Sequence, residues 1–233
     1  NLSMNPKIPD DCDLLFLYAP TSDITDDEKT IIEKYLSDGG KVYLILGDTT
    51  SDTPNLDGIM SDYGLKKVSG YIADTQRCYQ GNYYAIFPQL SLSGDLGSGI
   101  SNQMVLLLNS LGMEKTDTDN DNLTVTPFMQ TSDSGYAVTE NDQTQGQYIL
   151  GAVSTNTISA DSSDSDSEDE DDESDATDTD TKTARLTVLA SASMISSDIT
   201  DQLTTLDNLT LFVNSVTENF DNVNNVAIEA KSL

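Results

Sequence analysis

The sequence of 233 residues contains no histidine and no tryptophan. Without histidine the chain cannot form a Ser-His-Asp or Cys-His catalytic arrangement, and it lacks the commonest metal-binding side chain of proteins. Glycine-rich phosphate-binding loops are also missing, because neither GxGxxG nor GxxxxGKS/T occurs. These absences argue against the most frequent hydrolase, metalloenzyme and nucleotide-binding sites.

Basic residues are scarce, since 11 lysine and arginine residues face 40 aspartate and glutamate residues, for a net charge of −29 at pH 7. Nucleic-acid binding relies on Lys and Arg to neutralise phosphates, and anionic membrane surfaces attract basic segments. Both partners are therefore disfavoured. The negative charge favours solubility and is compatible with multivalent cations.

Cysteine is nearly absent, and its two copies, Cys12 and Cys78, are far apart in the sequence. Spacing alone leaves open whether they form a disulfide or remain two thiols. No apolar run is long enough to span a membrane, and no signal peptide is present. The chain begins abruptly beside its first predicted strand, which predicts an excised or processed piece of a longer protein.

The best-defined pattern in the sequence is a strand, a helix and a second strand within residues 12–48. The runs CDLLFLYAP and KVYLILGD are continuous and apolar, as in strands buried on both faces. Between them, Thr25 and Glu28 have the spacing of a capping box, and Gly39 and Gly40 end the helix. This pattern predicts a βαβ unit.

Later segments carry shorter signals. Residues 55–65 predict a short helix closed by Gly64, and residues 81–147 predict short strands and loops with a helix near 101–109. A further helix is predicted within residues 204–220. Its apolar side would carry Leu206, Leu209, Phe212, Val213 and Val216. Alternating strands and helices predict an open, mostly parallel α/β sheet flanked by helices.

An acidic run at residues 161–180 interrupts this pattern between two apolar strands, at 147–156 and 184–193. The two strands predict an antiparallel hairpin with a greatly enlarged loop. A loop of this length without apolar residues does not repay its ordering entropy. We therefore expect one α/β domain over residues 1–233 with a disordered acidic insert at 159–182. The run is either a solvated, self-repelling loop or a low-affinity cation site.

Three groups of residues are candidate sites. Asp117, Asp119 and Asp121 match the first three ligand positions of a calcium loop, but Asn122 and Phe128 occupy positions that should hold Gly and Glu, so a polar turn is the alternative.

The second candidate is Cys78. It has Arg77 beside it, which favours a thiolate, yet no histidine exists to serve as its base. A structural or free thiol is the alternative for Cys78.

The third candidate is a crevice at the carboxyl ends of the predicted strands, where open α/β sheets bind ligands. Six polar residues follow two of these strands: Asp48, Thr49, Thr50, Ser191, Ser193 and Ser196. They offer hydrogen bonds but no strong base and no metal cluster. Ordinary loop polarity explains them equally well.

Several ordered phrases resemble the GldG-like auxiliary component of gliding-motility-type ABC transporters. They begin with IPDDCD (8–13), PTSDITDDE (20–28) and YLSDGGK (35–41), and continue with NLDGIMSDYGL (55–65), ARLTVLASASMISSD (184–198), NLTLFVNSVTENF (208–220) and IEAKSL (228–233). The resemblance implies a flavodoxin-like or class I glutamine-amidotransferase-like sheet without the nucleophile. It also implies an extracytoplasmic domain, anchored by a transmembrane helix outside this chain, in complex with an ATPase and a permease.

We expect from these observations a non-catalytic extracytoplasmic domain of an ABC-transporter accessory protein, without a cofactor. It would bind a partner subunit, a cell-envelope glycan or a small ligand. Two alternative functions remain open: an amidotransferase-like hydrolase and a Ca²⁺-dependent surface adhesion module. The absence of histidine and of a nucleophile elbow argues against the hydrolase.

Overall fold

A computed structural model describes residues 7–49, 51–158, 181–203 and 205–220. Its strands are β1 (Leu15–Tyr18), β2 (Lys41–Ile45), β3 (Leu65–Val68), β4 (Tyr71–Asp74), β5 (Cys78–Tyr79), β6 (Asn82–Ile86), β7 (Gln89–Leu90), β8 (Leu107–Leu108), β9 (Gly112–Lys115), β10 (Leu123–Gln130), β11 (Gly135–Val138), β12 (Gln143–Gly146), β13 (Ile149–Ile158) and β14 (Lys182–Leu189). Its helices are α1 (Asp26–Ser37), α2 (Pro54–Asp62), α3 (Ser197–Thr200) and α4 (Asn208–Thr217), with 3-10 turns at Gly94–Gly97 and Ala192–Ile195. None of these helices is long and apolar enough to cross a bilayer.

The predicted βαβ unit is confirmed. Strand β1 pairs with β2 in parallel, and α1 connects them. The Thr25 hydroxyl accepts the Glu28 amide at 3.2 Å, while the Glu28 carboxylate accepts the Thr25 amide at 3.0 Å. This reciprocal capping satisfies two amides that a helix start otherwise leaves without partners. Gly39 follows α1 with φ +90°, a conformation that glycine adopts without steric cost.

The mostly parallel, flavodoxin-like or amidotransferase-like sheet is a wrong prediction. In the eight-stranded sheet, whose main path runs β1-β2-β14-β13-β10-β7, only the β1–β2 and β2–β14 pairs are parallel. Strands β9 and β3 extend it by antiparallel pairing, and two three-stranded sheets, β12-β11-β4 and β5-β6-β8, are antiparallel throughout.

Short connections explain the antiparallel direction. Parallel neighbours need a crossover of about a dozen residues or more, whereas the paired strands β5 and β6 are joined by two residues and the paired strands β11 and β12 by four. Between β3 and β4 the two-residue turn ends at Gly70, with φ +87°. A Cβ on Gly70 would lie 2.1 Å from the carbonyl oxygen of Val138. Only glycine therefore allows the chain to pass from one sheet to another at this point.

The antiparallel pairing of the two strands around the acidic run is confirmed. Strands β13 and β14 pair over eight residues each, from Gly151 opposite Leu189 to Ile158 opposite Lys182. Both contribute to the main core, where Leu150, Leu186 and Val188 are fully buried. The insert itself, including the expected disorder of residues 159–182, lies outside the described residues except for Thr181 and Lys182.

Helix α4 forms where a helix was expected, and its predicted apolar side is confirmed only in part, because Leu206, Phe212 and Val216 pack against the apolar clusters. The helix buries Leu211 together with Asn208, Asn214 and Ser215, and it leaves Leu209 and Val213 exposed. The buried side-chain amides of Asn208 and Asn214 form hydrogen bonds with backbone groups. Asn208 Oδ1 accepts the Leu106 amide at 2.9 Å, Asn208 Nδ2 donates to the Leu106 carbonyl at 2.9 Å, and Asn214 Nδ2 donates to the Leu96 carbonyl at 3.0 Å.

The same contacts correct the expected helix near 101–109. This segment is irregular and ends in the short strand β8. The carboxylate of Asp207 accepts the amides of Ser101, Asn102 and Met104 at 3.0–3.2 Å. The side chains of Asp207, which directly precedes α4, and of Asn208 thus make the hydrogen bonds that this backbone would otherwise have made within a helix.

We predict that Asn208→Ala lowers the free energy of unfolding by about 3 kcal/mol, because it leaves the buried amide and carbonyl of Leu106 without partners. Leu209→Ala on the same helix is the matched control and should change stability by no more than about 0.5 kcal/mol, since Leu209 is exposed. Urea denaturation measures both. A larger loss for the leucine variant would contradict the assignment of the buried side.

A second prediction concerns the buried Tyr43, whose hydroxyl lies 2.6 Å from the Ser215 hydroxyl. Burial raises the pKa of Tyr43, so its contribution to stability is complete below about pH 10 and declines as pH rises further. Tyr43→Phe should cost about 1 kcal/mol at pH 7, and the difference from wild type should shrink above pH 10. Equal differences at pH 7 and pH 11, measured by urea denaturation, would refute this.

Candidate functional site

The candidate site is a cavity at the carboxyl end of β2, which we call the β2-end cavity. It has a volume of about 380 Å³, and its polar lining includes Asp48, Ser51, Asp52, Asp57, Lys67 and Tyr71. Its apolar lining includes Val68 and Leu111. The cavity is therefore a polar concavity at the sheet edge where α/β folds place ligands.

The predicted crevice residues divide between this cavity and the protein interior. Asp48 and Thr49 line the cavity, and Thr50 lies outside the described residues. Ser191 and Ser193 are bound to each other at 2.7 Å between their hydroxyl oxygens, and they bind the Leu108 carbonyl and amide at 3.1 and 2.8 Å. Ser196 precedes α3. The three serines are not among the residues that line the cavity.

One wall of the cavity is a carboxylate–phenol pair. The Tyr71 hydroxyl donates to Asp48 Oδ2 at 2.5 Å, and this bond raises the pKa of Tyr71. Both residues stay accessible to solvent, so Asp48 Oδ1 remains available to a hydrogen-bond donor. The pair therefore presents one acceptor oxygen beside an aromatic ring.

The opposite charge in the cavity comes from Lys67. Its ammonium group lies 2.7 Å from the Thr53 hydroxyl and 3.1 Å from Asp57 Oδ1, and the Thr53 hydroxyl donates to the same carboxylate oxygen at 3.1 Å. Three groups thus hold one another in place at the start of α2. With three aspartates and one lysine, the lining is net negative, which favours cationic or neutral ligands over phosphates.

Helix α2 is positioned by a residue from the loop after β1. The Asp23 carboxylate accepts the amides of Asn55 and Leu56 at 2.9 and 3.1 Å, and the Asn55 side chain donates to the Ile24 carbonyl at 2.8 Å. A carboxylate at a helix start satisfies free amides and interacts favourably with the helix dipole. Asp23 therefore fixes the helix that carries Asp57.

Lys67 and Tyr71 were missed in the sequence because they precede and follow the turn between β3 and β4. That turn meets the end of β2 only through tertiary packing. The available signal was the sequence KKVSGYIAD, in which a Ser-Gly turn separates two alternating segments. Local patterns predict such a turn, but they do not indicate which strand end it approaches.

The structure does not bring an activating group to Cys78. Both cysteines are free thiols. The guanidinium group of Arg77 donates to the carbonyls of Phe87 and Pro88 at 2.7 and 3.1 Å, so it is engaged with backbone. Cys78 lies in the two-residue strand β5. The geometry supports the free-thiol alternative and offers no support for a nucleophile.

Asp117, Asp119 and Asp121 lie in an exposed turn before β10. The amide of Asn120 donates to the Thr118 hydroxyl at 2.9 Å, and that of Asn122 donates to Asn120 Oδ1 at 3.0 Å. Across the described ranges, no three acidic or cysteine side chains are grouped so that they could hold a metal ion.

A second cavity of about 480 Å³ lies at the amino end of the parallel strands, between residues 7–12 and the end of α1. Here the Tyr35 hydroxyl donates to the Cys12 carbonyl at 2.9 Å, and burial raises the pKa of Tyr35 to about 12. None of the predicted crevice residues lines this cavity, so the candidate site is the β2-end cavity.

Comparison with known proteins now adds to this geometry. A family model described as "ABC-type uncharacterized transport system" matches residues 1–228. The chain belongs to this family. The family's description associates it with an ABC transport system as an auxiliary protein. No curated protein matches the chain.

Among solved structures, the chain is similar to one described as the mmIFT52 N-terminal domain. The TM-score is 0.56 and the sequence identity is 14%, and the match covers 91% of this chain and 79% of that one. At this identity the likeness shows a shared fold and carries no function from that protein to this one.

We predict that Asp48→Asn lowers the pKa of Tyr71 toward the ordinary tyrosine value of about 10, because the carboxylate that holds the phenol proton is replaced by a neutral amide. The pH titration of ¹³C-labelled tyrosine Cζ resonances measures this. Asp52→Asn, another aspartate of the cavity, is the control and should leave the Tyr71 pKa within a few tenths of wild type. Identical Tyr71 titrations in Asp48→Asn and wild type would contradict the pairing.

Proposed function

We propose that this chain is the extracytoplasmic, non-catalytic domain of a membrane-anchored, GldG-like accessory protein of an ABC transporter. Its task is to bind the ATPase–permease assembly of the same system and to present a binding cavity for a cell-envelope glycan or another small ligand. The match of the family model to residues 1–228 is the observation that carries this proposal. The ordered phrases that resemble the gliding-motility-type transporters support the finer assignment.

The chemistry of the β2-end cavity supports binding in preference to catalysis. Asp48 is hydrogen-bonded to Tyr71, and Lys67 to Thr53 and Asp57, so the charged groups orient one another. Catalysis by a serine or cysteine needs a base beside the nucleophile, and the sequence holds no histidine for that role. Hydroxyls, carboxylates and one aromatic ring suit a polyhydroxylated ligand, because each offers directional hydrogen bonds.

The charge of the cavity narrows the class of ligand further. Asp48, Asp52 and Asp57 outnumber Lys67 in the lining, so an anionic ligand would meet repulsion. A neutral or amine-bearing sugar matches both the hydroxyl-rich walls and the negative charge. This ligand class is part of the proposal.

We predict that the full-length protein co-purifies with the permease and the ATPase of its own system. The permease is tagged in its native membrane, extracted in mild detergent and isolated by affinity and size-exclusion chromatography. We expect the three proteins to elute together at a constant ratio. Elution of permease and ATPase without this protein, even after excess purified protein has been added, would refute the proposed function.

A hydrolase activity provides the second check. The purified chain should show no turnover in esterase, glycosidase and amidase assays, because the cavity lacks a nucleophile with its base. Turnover that disappears in Asp48→Asn but remains in the control Asp52→Asn would replace the binding function with a catalytic one.

A further inference from the structure

We propose that an apolar surface formed by α4 and β1 is the face on which the permease subunit of the transport system docks. We call it the α4–β1 surface and define it by Phe16, Tyr18, Leu209, Phe212 and Val213. The inference rests on the proposed function, because it names the contact through which the accessory domain joins its complex.

Helix α4 buries polar side chains beside Leu211 and leaves two apolar side chains exposed. Its amide and hydroxyl side chains, Asn208, Asn214 and Ser215, are buried, while Leu209 is 56% exposed and Val213 is 43% exposed. Leu209 and Val213 are four residues apart, so they lie one above the other on the same side of the helix. Amphipathic helices of globular proteins normally place apolar residues inward. The outward apolar stripe therefore has no role in the internal packing of the described residues.

The stripe continues onto the sheet through aromatic contacts. The Phe212 ring lies edge-on to the Phe16 ring at 6.3 Å between centroids, and Phe16 stacks on the buried Tyr43 at 5.0 Å. Phe16 is nevertheless 39% exposed, and Tyr18 is 55% exposed. Residues two apart on a strand share one face, so Tyr18 extends the surface along β1. Phe16 and Phe212 thus join the helix stripe to the strand.

The strand that borders this surface also has a free edge. Among the described residues β1 pairs only with β2 and is the first strand of the main sheet. An edge strand exposes unpaired amides and carbonyls and is a ready place for another chain to add. Natural edges are often protected by charged side chains, and β1 has the sequence LFLY without any charge. The α4–β1 surface thus places apolar side chains next to backbone groups of β1 that can form hydrogen bonds with a partner.

The negative charge of the chain favours some binding partners of the α4–β1 surface over others. The net charge is −29, and the acidic run holds 12 of the 40 acidic residues, so the remaining acidic residues still outnumber the 11 basic ones by a wide margin. Two copies of this chain, or the chain and an anionic lipid surface, would repel each other. None of the five residues that define the surface is charged. This combination fits an apolar, neutral or basic protein partner, and the family description associates the chain with an ABC transport system, of which the permease is the membrane subunit.

The test uses the full-length protein and the purified permease–ATPase complex in detergent micelles. The double variant Leu209→Asp/Val213→Asp introduces charge into the stripe, and Leu209 lies in the first turn of α4, where an acidic residue is tolerated. The control is Tyr83→Asp, at a residue that is 50% exposed on β6 of a different sheet. Binding is measured by biolayer interferometry, and folding by thermal unfolding of each isolated variant.

We expect the double variant to weaken binding at least tenfold and the control to change it less than threefold. Tyr18→Ser on β1 should also weaken binding, and it keeps the test valid if the double variant fails to fold. Wild-type binding with unchanged affinity in both surface variants would overturn this inference and leave the proposed function intact. Absence of wild-type binding would overturn both.

Two further results would overturn the choice of occupant. If light scattering shows that the wild-type protein is a dimer and that the double variant is a monomer, the surface is covered by a second copy. If the double variant and Tyr18→Ser both unfold far below the wild type, another segment of the same chain covers the surface. In the proposed arrangement the isolated protein is monomeric, and the surface variants melt within a few degrees of wild type.

Discussion

Hydrogen bonds from the buried side of α4 to the backbone of residues 96–106 are the constraint on which much of this structure depends. The Asp207 carboxylate, the Asn208 amide and the Asn214 amide together bind the backbone of six residues of that segment. Residues 98–106 have no helix or strand of their own, and buried backbone groups without partners are strongly destabilising. The polar side chains are therefore the condition for burying Val105, Leu106 and Leu107.

This constraint determines the outer side of the helix as well. The ten-residue helix buries Leu211 together with Asn208, Asn214 and Ser215, so amides and a hydroxyl occupy most of its buried side. The apolar residues at positions 209 and 213 must then point away from the core. The exposed stripe is thus a consequence of the way in which the neighbouring loop is held, and exposed apolar patches often mark protein–protein contacts.

The same use of polar groups recurs elsewhere and explains why few reactive groups remain. The buried Asp74 carboxylate accepts the amides of Gln76, Arg77 and Ser132 at 2.7–2.9 Å. Ser191 and Ser193 bind the backbone of Leu108. In an acidic chain without histidine, several carboxylates and hydroxyls that look like site residues serve instead as backbone acceptors and donors. The β2-end cavity differs because Asp48 and Tyr71 bind side chain to side chain and remain open to solvent.

Features that depend on local sequence were predictable, and features that depend on packing between distant segments were not. The capping box at Thr25 and the position of Asp48 after a buried strand follow from patterns within a few residues. The β13–β14 pairing was predictable because those strands are adjacent once the acidic run is set aside. Strand direction in residues 65–146 was not, because apolar runs there do not show which edge they join. Lys67 and Tyr71 reach Asp48 only through that packing, and the buried side of α4 depends on the loop that it holds.

The two strands that flank the acidic run end at one end of β2, and the β2-end cavity lies at the other. The acidic run begins after Ile158 and ends before Lys182, and the β14 register places Lys182 beyond the amino end of β2, because Arg185 lies opposite Lys41. Asp48 lies beyond the carboxyl end. Five residues of β2 span about 16 Å, which exceeds the Debye length of about 8 Å at physiological ionic strength. The points where the run joins the fold are therefore electrostatically remote from the cavity. Within the α4–β1 surface, Tyr18 lies opposite Ile45 at the carboxyl end of β2, which is also the end that carries the cavity.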